Sequence, residues 1–331
     1  PANADRHVGI IRLHNSKVIS PYFLSTFLNS KYGQFQSIRE STGNVQLNLF
    51  IDKIKTFVIQ CPKIAQMQEV DKFASDAFQE RERAESFYFQ AENLLLEELG
   101  LKDFEAEIKR ELWSVMNLSE VKKANRIDAE YFQPKYEKLE SRIKKYEHKQ
   151  LEKVLENVTA KFDSAKQPDK SFKYVELSNI NTSIGVIDGF SEVLGKEAPS
   201  RAKRVLKAND VIVSSVEGSL EKVALVHEAQ KDFLASTGFF QFRSKEILPE
   251  ALLVLAKSIV FQWQLEKRCA GTILTAVPKE SINNVLVPIL PKPIQQRIAE
   301  LVQKSHESRK KARELLESAK QKVENLIEQQ R

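Results

Sequence analysis

Residues 20–43 read SPYFLSTFLNSKYGQFQSIRESTG, and residues 248–271 read LPEALLVLAKSIVFQWQLEKRCAG. At an offset of 228, Pro21 falls on Pro249, Leu24 on Leu252, Phe27 on Leu255 and Ser30 on Ser258. Further along, Phe35 falls on Trp263, Arg39 on Lys267 and Gly43 on Gly271. Each segment opens with proline at a helix start, keeps helical apolar spacing, and closes on a basic residue and a glycine. The two glycines are expected to supply a positive φ. With a slip of two or three residues, IKTFVIQCP (54–62) then matches INNVLVPILP (282–291), a short β-rich run closed by proline. Each copy enters a long helix, from Ile64 and from Ile294. A period this long means duplicated domains rather than a solenoid.

The long helices match each other as well. In the first, the small or apolar seam positions are Met67, Val70, Ala74, Ala77, Ala84, Tyr88, Ala91 and Leu95. In the second they are Ile298, Leu301, Ser305, Ser308, Ala312, Leu315, Ala319 and Leu326. This is a heptad seam, interrupted at Arg81 and at Lys322, and poorer in leucine than in small residues. Small residues let backbones approach closely, so the two helices are expected to pair antiparallel. Gly100 reads as the cap of the first, which makes residues 64–99 a rod of roughly 54 Å.

Between the copies lies the complete globular part. A charged helix is expected over Glu130–His148, followed by strands at Phe172–Leu177, Val211–Ser215 and Val223–His227. Turns are expected at Asn209–Asp210 and Glu217–Gly218. Trp113 is expected to anchor the packing of this domain, and Phe35 and Trp263 to lie in cores. The fold class is therefore mixed α+β with two long antiparallel coiled-coil helices. The division is 1–62, the end of a first domain; 63–111, a helix and linker; 112–293, a complete second domain; and 294–331, the distal helix. The chain opens on Pro1 in mid-domain by this alignment, so it is expected to be cut from a longer frame.

Composition agrees with a chain of two or so domains. It has 331 residues, 42% hydrophobic and 29% charged, the latter above the usual quarter or so and suited to long solvated helices. Ten glycines argue against a glycine-rich phosphate-binding fold, and no run approaches the roughly 20 apolar residues of a membrane span. Two cysteines, Cys61 and Cys269, are too few for a disulfide framework and suit a reduced, cytoplasmic setting. The formal net charge of +6 permits nucleic-acid binding without proving it.

No catalytic constellation appears. Walker-type, HExxH and CxxC patterns are missing, as is the NPPY motif of amino-methyltransferases. The histidines (His7, His14, His148, His227, His306) are scattered, so no metal site is expected. Asp103, Glu107 and Lys109 have no strand context and read as a solvated charge run. The basic residues say more. SRAKRVLK (200–207) carries Arg201, Lys203, Arg204 and Lys207 with no acid, a composition suited to neutralising phosphates. An exposed turn kept basic for solubility explains it about as well. Ser214, Ser215, Ser219 and Lys222 line the next strand-turn-strand, where short hydroxyls can reach bases or phosphates; an ordinary hydroxyl-rich hairpin is the plainer account. Lys267 and Arg268 before Thr272, and Arg39 before Asn44, complete the candidate DNA contacts.

The order of these parts resembles the specificity subunit of Type I restriction-modification systems. RIDAEYFQPKY (126–136) resembles the start of a target recognition domain, and LKANDVIVSS (206–215) its central strand. VLVPILPKPIQQRI (285–298) resembles the junction into the family's conserved helix. The resemblance covers nearly the whole chain, and it rests more on the order and duplication of these strings than on any one. It implies two domains that each read one half of a split site in double-stranded DNA, held apart by two antiparallel helices. It further implies methyltransferase (modification) subunits docked on the helices and a restriction motor-nuclease subunit beside them. Catalysis, S-adenosylmethionine, ATP and Mg would belong to those partners, with no cofactor in this chain. A rod of roughly 54 Å exceeds one DNA turn of about 34–36 Å, so its length would set the gap between half-sites. The chief departure is the front of the first domain, without which one half-site reader is expected and self-pairing through the helices stays open. Two other readings remain: the recognition tail of a single-chain restriction-methyltransferase, and a coiled-coil scaffold that binds protein.

Overall fold

The computed structural model describes residues 8–15, 18–43, 47–108, 113–271 and 275–329. It divides into two compact units, residues 1–84 with 307–331, and residues 85–306. Each long helix therefore contributes to both units, and each unit is described by itself.

In the first unit, Pro21–Asn29 and Lys31–Glu40 are two short helices separated by Ser30. Ser20 caps the first by accepting from the Phe23 amide, and Pro21 stands where a helix needs no N–H donor. A brief helical turn, Ile51–Ile54, follows. The first long helix, Ile64–Glu98, starts where the sequence places it, and the second, Lys292–Glu328, starts two residues before Ile294. Phe23, Phe27, Met67, Val70, Ala319, Val323 and Leu326 form the unit's core, with Ile19, Leu28 and Phe73 at its edge. Ion pairs fix the direction of the long helices: Glu69 meets Lys322 at 2.5 Å and Glu80 meets Lys311 at 2.7 Å. Eleven residues forward on one helix match eleven backward on the other, so within this unit they run antiparallel in one register.

Most of the seam is buried as expected: Met67, Val70, Ala74, Ala77, Ala84, Tyr88, Ala91, Leu95, Ile298, Ala312, Ala319 and Leu326 all are. Leu301 and Leu315 are half-buried, and Val302, next to Leu301, and Val323, next to Lys322, are fully buried. The break in the first helix also shifts by one residue, since Arg81 is exposed and Glu80 is the buried polar residue. With Val302 in place of Leu301, the offset of 228 holds along the seam: Ile298 answers Val70, Val302 answers Ala74 and Ala312 answers Ala84.

In the second unit the charged helix is shorter than expected, Pro134–Ile143, and buries Tyr136, Leu139 and Ile143. Two four-stranded sheets follow. One orders Ser191–Leu194, Ser171–Val175, Leu234–Ser236 and Ala202–Val205; the other orders Leu155–Asn157, Phe239–Ser244, Val211–Ser214 and Val223–Leu225. The three expected strands are thus present. Val211, Ile212 and Val213 are fully buried, which is why that run is apolar without alternation. Asn209 adopts φ 68° and Gly218 φ 73° at the two expected turns. Gly100 adopts φ 60°, and Leu101 donates back to the Leu96 carbonyl at 2.7 Å, closing the first long helix.

The second copy of the repeat is Pro249–Lys257 and Ile259–Arg268, helices of the same lengths as the first pair. Their small features repeat too. Ser30 and Ser258 share φ −73°, and each hydroxyl donates to the carbonyl three residues back, at 2.6 Å to Phe27 and 2.8 Å to Leu255. Thr42 bridges Asn48 as Ala270 bridges Ala276, and Gly43 and Gly271 adopt φ 132° and 138°. One expected likeness fails: Leu286–Pro288 is a strand, paired with His148–Gln150, whereas residues 55–63 form none and have no such partner among the described residues.

Three expectations about aromatic residues are corrected. Trp113 is 75% exposed and Phe35 63% exposed, so neither lies in a core. Trp263 is half-buried, its ring 6.1 Å from Phe104 and under the Lys135 ammonium at 5.2 Å.

Candidate nucleic-acid interface

Alternation along Ala202–Val205 sorts the basic segment. The strand pairs with Leu234–Ser236, so successive side chains take opposite faces. Lys203 and, just before the strand, Arg201 are exposed, as is Lys207 just after it. Arg204 takes the inward face at 3% exposure and donates from Nη1 to the Val158 carbonyl at 2.6 Å. Burial pulls its guanidinium down to about 10, and a side chain so placed cannot reach a phosphate. Its expected DNA contact is therefore replaced by an internal one.

The hydroxyls sort in the same way. Ser214 is fully buried, its Oγ 3.1 Å from Ser219 Oγ and accepting from the Val216 amide at 3.1 Å. Ser219 also donates to the Val216 carbonyl, and Ser215 to the Gly238 carbonyl at 2.9 Å. These bonds hold the turn in shape, so Ser214 is a structural residue, corrected from a candidate contact. Ser215, Ser219 and Lys222 are half-buried at its rim.

Backbone bonds bring three of the candidate segments together. Thr237 donates to the Arg201 carbonyl at 2.8 Å, and the Ser215 amide donates to the Gly238 carbonyl at 2.8 Å, so one short connection holds the basic strand beside the hydroxyl turn. The loop after Cys269 joins from the other side: Glu217 donates to the Thr275 carbonyl, Val277 donates to that of Ser215, and Val216 bridges Ala276. Lys267 and Arg268, at the head of that loop, face inward. Lys267 pairs with Glu140 at 2.9 Å, and Arg268 donates to the carbonyls of Ser281, Gln264 and Asn284. Three carbonyl partners hold the half-buried Arg268 within its own fold. In the first unit Arg39 is exposed and paired with Glu40 at 2.9 Å. Thr272 and Asn44 lie outside the described residues.

Two groupings escape a reading of the sequence. Asp210, 1% exposed, accepts from Arg243 at 2.5 and 3.0 Å, from Gln241 at 2.6 Å and from the Lys207 amide at 2.8 Å. It ties the end of the basic segment to the neighbouring sheet. The Asn209–Asp210 turn carries part of the signal, but the partners are more than 30 residues away. The second grouping is Lys173, whose ammonium lies over the rings of Phe190 and Phe233 at 4.9 and 5.2 Å, with Phe190 44% exposed.

Burial pushes the Cys269 thiol up to about 12, away from nucleophilic use. Burial pulls His306 below its ordinary value, and its Nε2 lies 3.1 Å from the Ile184 carbonyl. Among the described residues no group of three or more His, Cys, Asp or Glu is placed to hold a metal ion, and no helix is long and apolar enough to cross a membrane.

No protein-family profile matches the chain, and no curated protein does. Solved structures do. The HsdS subunit from Thermoanaerobacter tengcongensis is 32% identical over 47% of this chain and 40% of its own, with a TM-score of 0.43. A chain from a Type I restriction-modification system, solved for its complex assembly and conformational transition, gives the same identity and coverage with a TM-score of 0.41. The S subunit of a Type I system from M. genitalium is 14% identical over 95% of this chain and 74% of its own, with a TM-score of 0.44. The match thus spans 40% of the length of each of the first two.

Proposed function

We propose that this chain is a specificity subunit of a Type I restriction-modification system: a DNA-binding protein, without catalysis of its own, that reads one half-site through the domain at 112–293. The observation that carries this is the duplication. The helix pair, its serine link, the bridged glycine loop and the long helix recur at an offset of 228, down to the Ser30 and Ser258 geometry. A protein that reads two half-sites needs one reader at each end of a stiff spacer, and long helices paired in a fixed register are such a spacer. The two relatives at 32% identity support the same reading.

On this reading Arg201, Lys203, Lys207 and Lys222 contact phosphates, and Ser215 and Ser219 lie where the strand-turn-strand meets the duplex. The long helices dock the modification subunits, and a motor-nuclease subunit joins those. S-adenosylmethionine, ATP and Mg belong to the partners, and the setting is the cytoplasm.

The test is titration of the purified chain against random duplex DNA at several salt concentrations. Sequence-independent affinity that falls with salt, on which sequence-selective affinity is superimposed, supports the proposal. A folded chain with no salt-dependent affinity, alone and with a modification subunit, contradicts it and favours the protein-binding scaffold.

A further inference from the structure

Beyond the larger Met67, Val70, Val323 and Leu326 at one end, the seam of the paired helices in the first unit carries a stretch of small side chains: Ala74, Ala77, Ala84, Ala312 and Ala319 are all buried. Such a seam packs closely but identifies its own register poorly. Shifting one helix by a heptad sets Ala312 in the place of Ala319, or the reverse, at little apolar cost. Over this stretch a polar contact is the better marker of register.

Glu80 is placed to do so. Its side chain is 8% exposed within this alanine seam, and one carboxylate oxygen accepts from both helices: Arg83 Nη1 at 2.9 Å from its own, and Lys311 Nζ at 2.7 Å from the other. The Ser308 hydroxyl is hydrogen-bonded to the same carboxylate. A slip of one heptad in either direction would replace that hydroxyl with a leucine, Leu301 or Leu315, and would replace Lys311 with Lys304 or Ser318. The same slips would put Leu315 or Gln329 opposite Glu69 in place of Lys322. A carboxylate already out of water tolerates a leucine neighbour badly.

We propose that Glu80 is a positioning residue that sets the register of the long helices, and through it the span of the spacer. The register claim stands on the structure alone. Its consequence for DNA rests on the proposed function: one heptad is about 10 Å of helix, or roughly three base pairs of the gap between half-sites.

The experiment measures register directly, on the full chain, with no DNA. Spin labels are placed at the exposed positions Lys72→Cys and Glu307→Cys, with the exposed Cys61→Ser and the buried Cys269 left in place. The parent should give one narrow distance by pulsed electron resonance. Glu80→Leu should retain a cooperative melt, because an apolar side chain suits the seam, yet add a second population displaced by about 10 Å. Glu80→Gln reads the same distance if the leucine variant fails to fold. Glu80→Ser combined with Ser308→Glu moves the acid to the equivalent position of the repeat, three residues before Lys311 as Glu80 is three before Arg83. It should restore the single distance, which mere loss of packing would not predict. A single parental distance in both Glu80 variants overturns the proposal, as does a broadened distance in the relocated variant. Failure of DNA binding in the unaltered chain would instead count only against the proposed function.

Discussion

Asp210→Ala removes one buried carboxylate and strands three donors. Arg243 loses a two-pronged partner at 2.5 and 3.0 Å, Gln241 loses one of two acceptors, at 2.6 Å, and keeps the Val205 carbonyl at 2.9 Å, and the Lys207 amide loses its acceptor at 2.8 Å. Asp210 is 1% exposed on its side chain and Arg243 is 28% exposed, so water can recover part of the loss at the arginine. Breaking a buried pair by removing one partner costs about 3–5 kcal/mol, and partial access at Arg243 places this case near the lower end. For a unit of the size of residues 85–306, each kcal/mol moves the midpoint by roughly 2–4 °C, so the melting temperature should fall by about 6–12 °C. Calorimetry of the full chain reads this as a shift of the transition that belongs to the second unit. Asp210→Asn, which keeps the shape and some acceptor capacity, should fall between. A shift under about 2 °C for the alanine variant would refute the reasoning, since it would mean that the network stores no net stability.

Three further outcomes follow from the geometry. Arg201→Glu with Lys203→Glu, both exposed, should lower DNA affinity and reduce the steepness of its dependence on log salt by up to about 2, at roughly 0.9 for each phosphate no longer neutralised; fluorescence anisotropy across a salt series measures it. Arg204→Met, at a buried position, should leave that salt slope unchanged and the melt within about 1.5 kcal/mol of the parent; a lower slope would return Arg204 to the interface. Glu80→Gln should change the acid limb of stability. The Lys311 ammonium holds the Glu80 carboxyl below its ordinary range, against the opposing effect of burial. A carboxylate depressed in the folded state adds stability above its unfolded value of about 4.3, and that stability is lost as pH falls through the folded value. The difference in melting temperature between parent and variant should therefore be largest near neutrality and shrink below about pH 4.3; a pH-independent difference would contradict it.

The duplication is legible in the sequence because helix starts and stops are local. Pro21 and Pro249, Ser30 and Ser258, Gly43 and Gly271 each act through their own backbone, so their spacing alone announces two copies of one module. The long helices and the buried strand Val211–Ser214 are legible for the same reason. What the sequence conceals is set by neighbours far along the chain. Arg204 and Lys203 look alike in a basic run, and only pairing with Leu234–Ser236 turns one inward and the other outward. Trp113 and Phe35 are aromatic and so are expected to pack, yet nothing adjacent to them in sequence tells whether another element covers them. At Leu301 and at Arg81 the seam reads one residue off from its sequence, because alanine-rich heptads give a weak phase. The buried acid that fixes the phase, Glu80, looks like any other charge on a solvated helix.

The most direct test of the central claim is selection from a random duplex library at moderate salt, using the full chain with a Type I modification subunit. The account predicts enrichment of one short block of fixed bases, read by the domain at 112–293, and loss of that enrichment with Arg201→Glu and Lys203→Glu. A folded complex that enriches no sequence would contradict the claim that this domain is a reader of DNA.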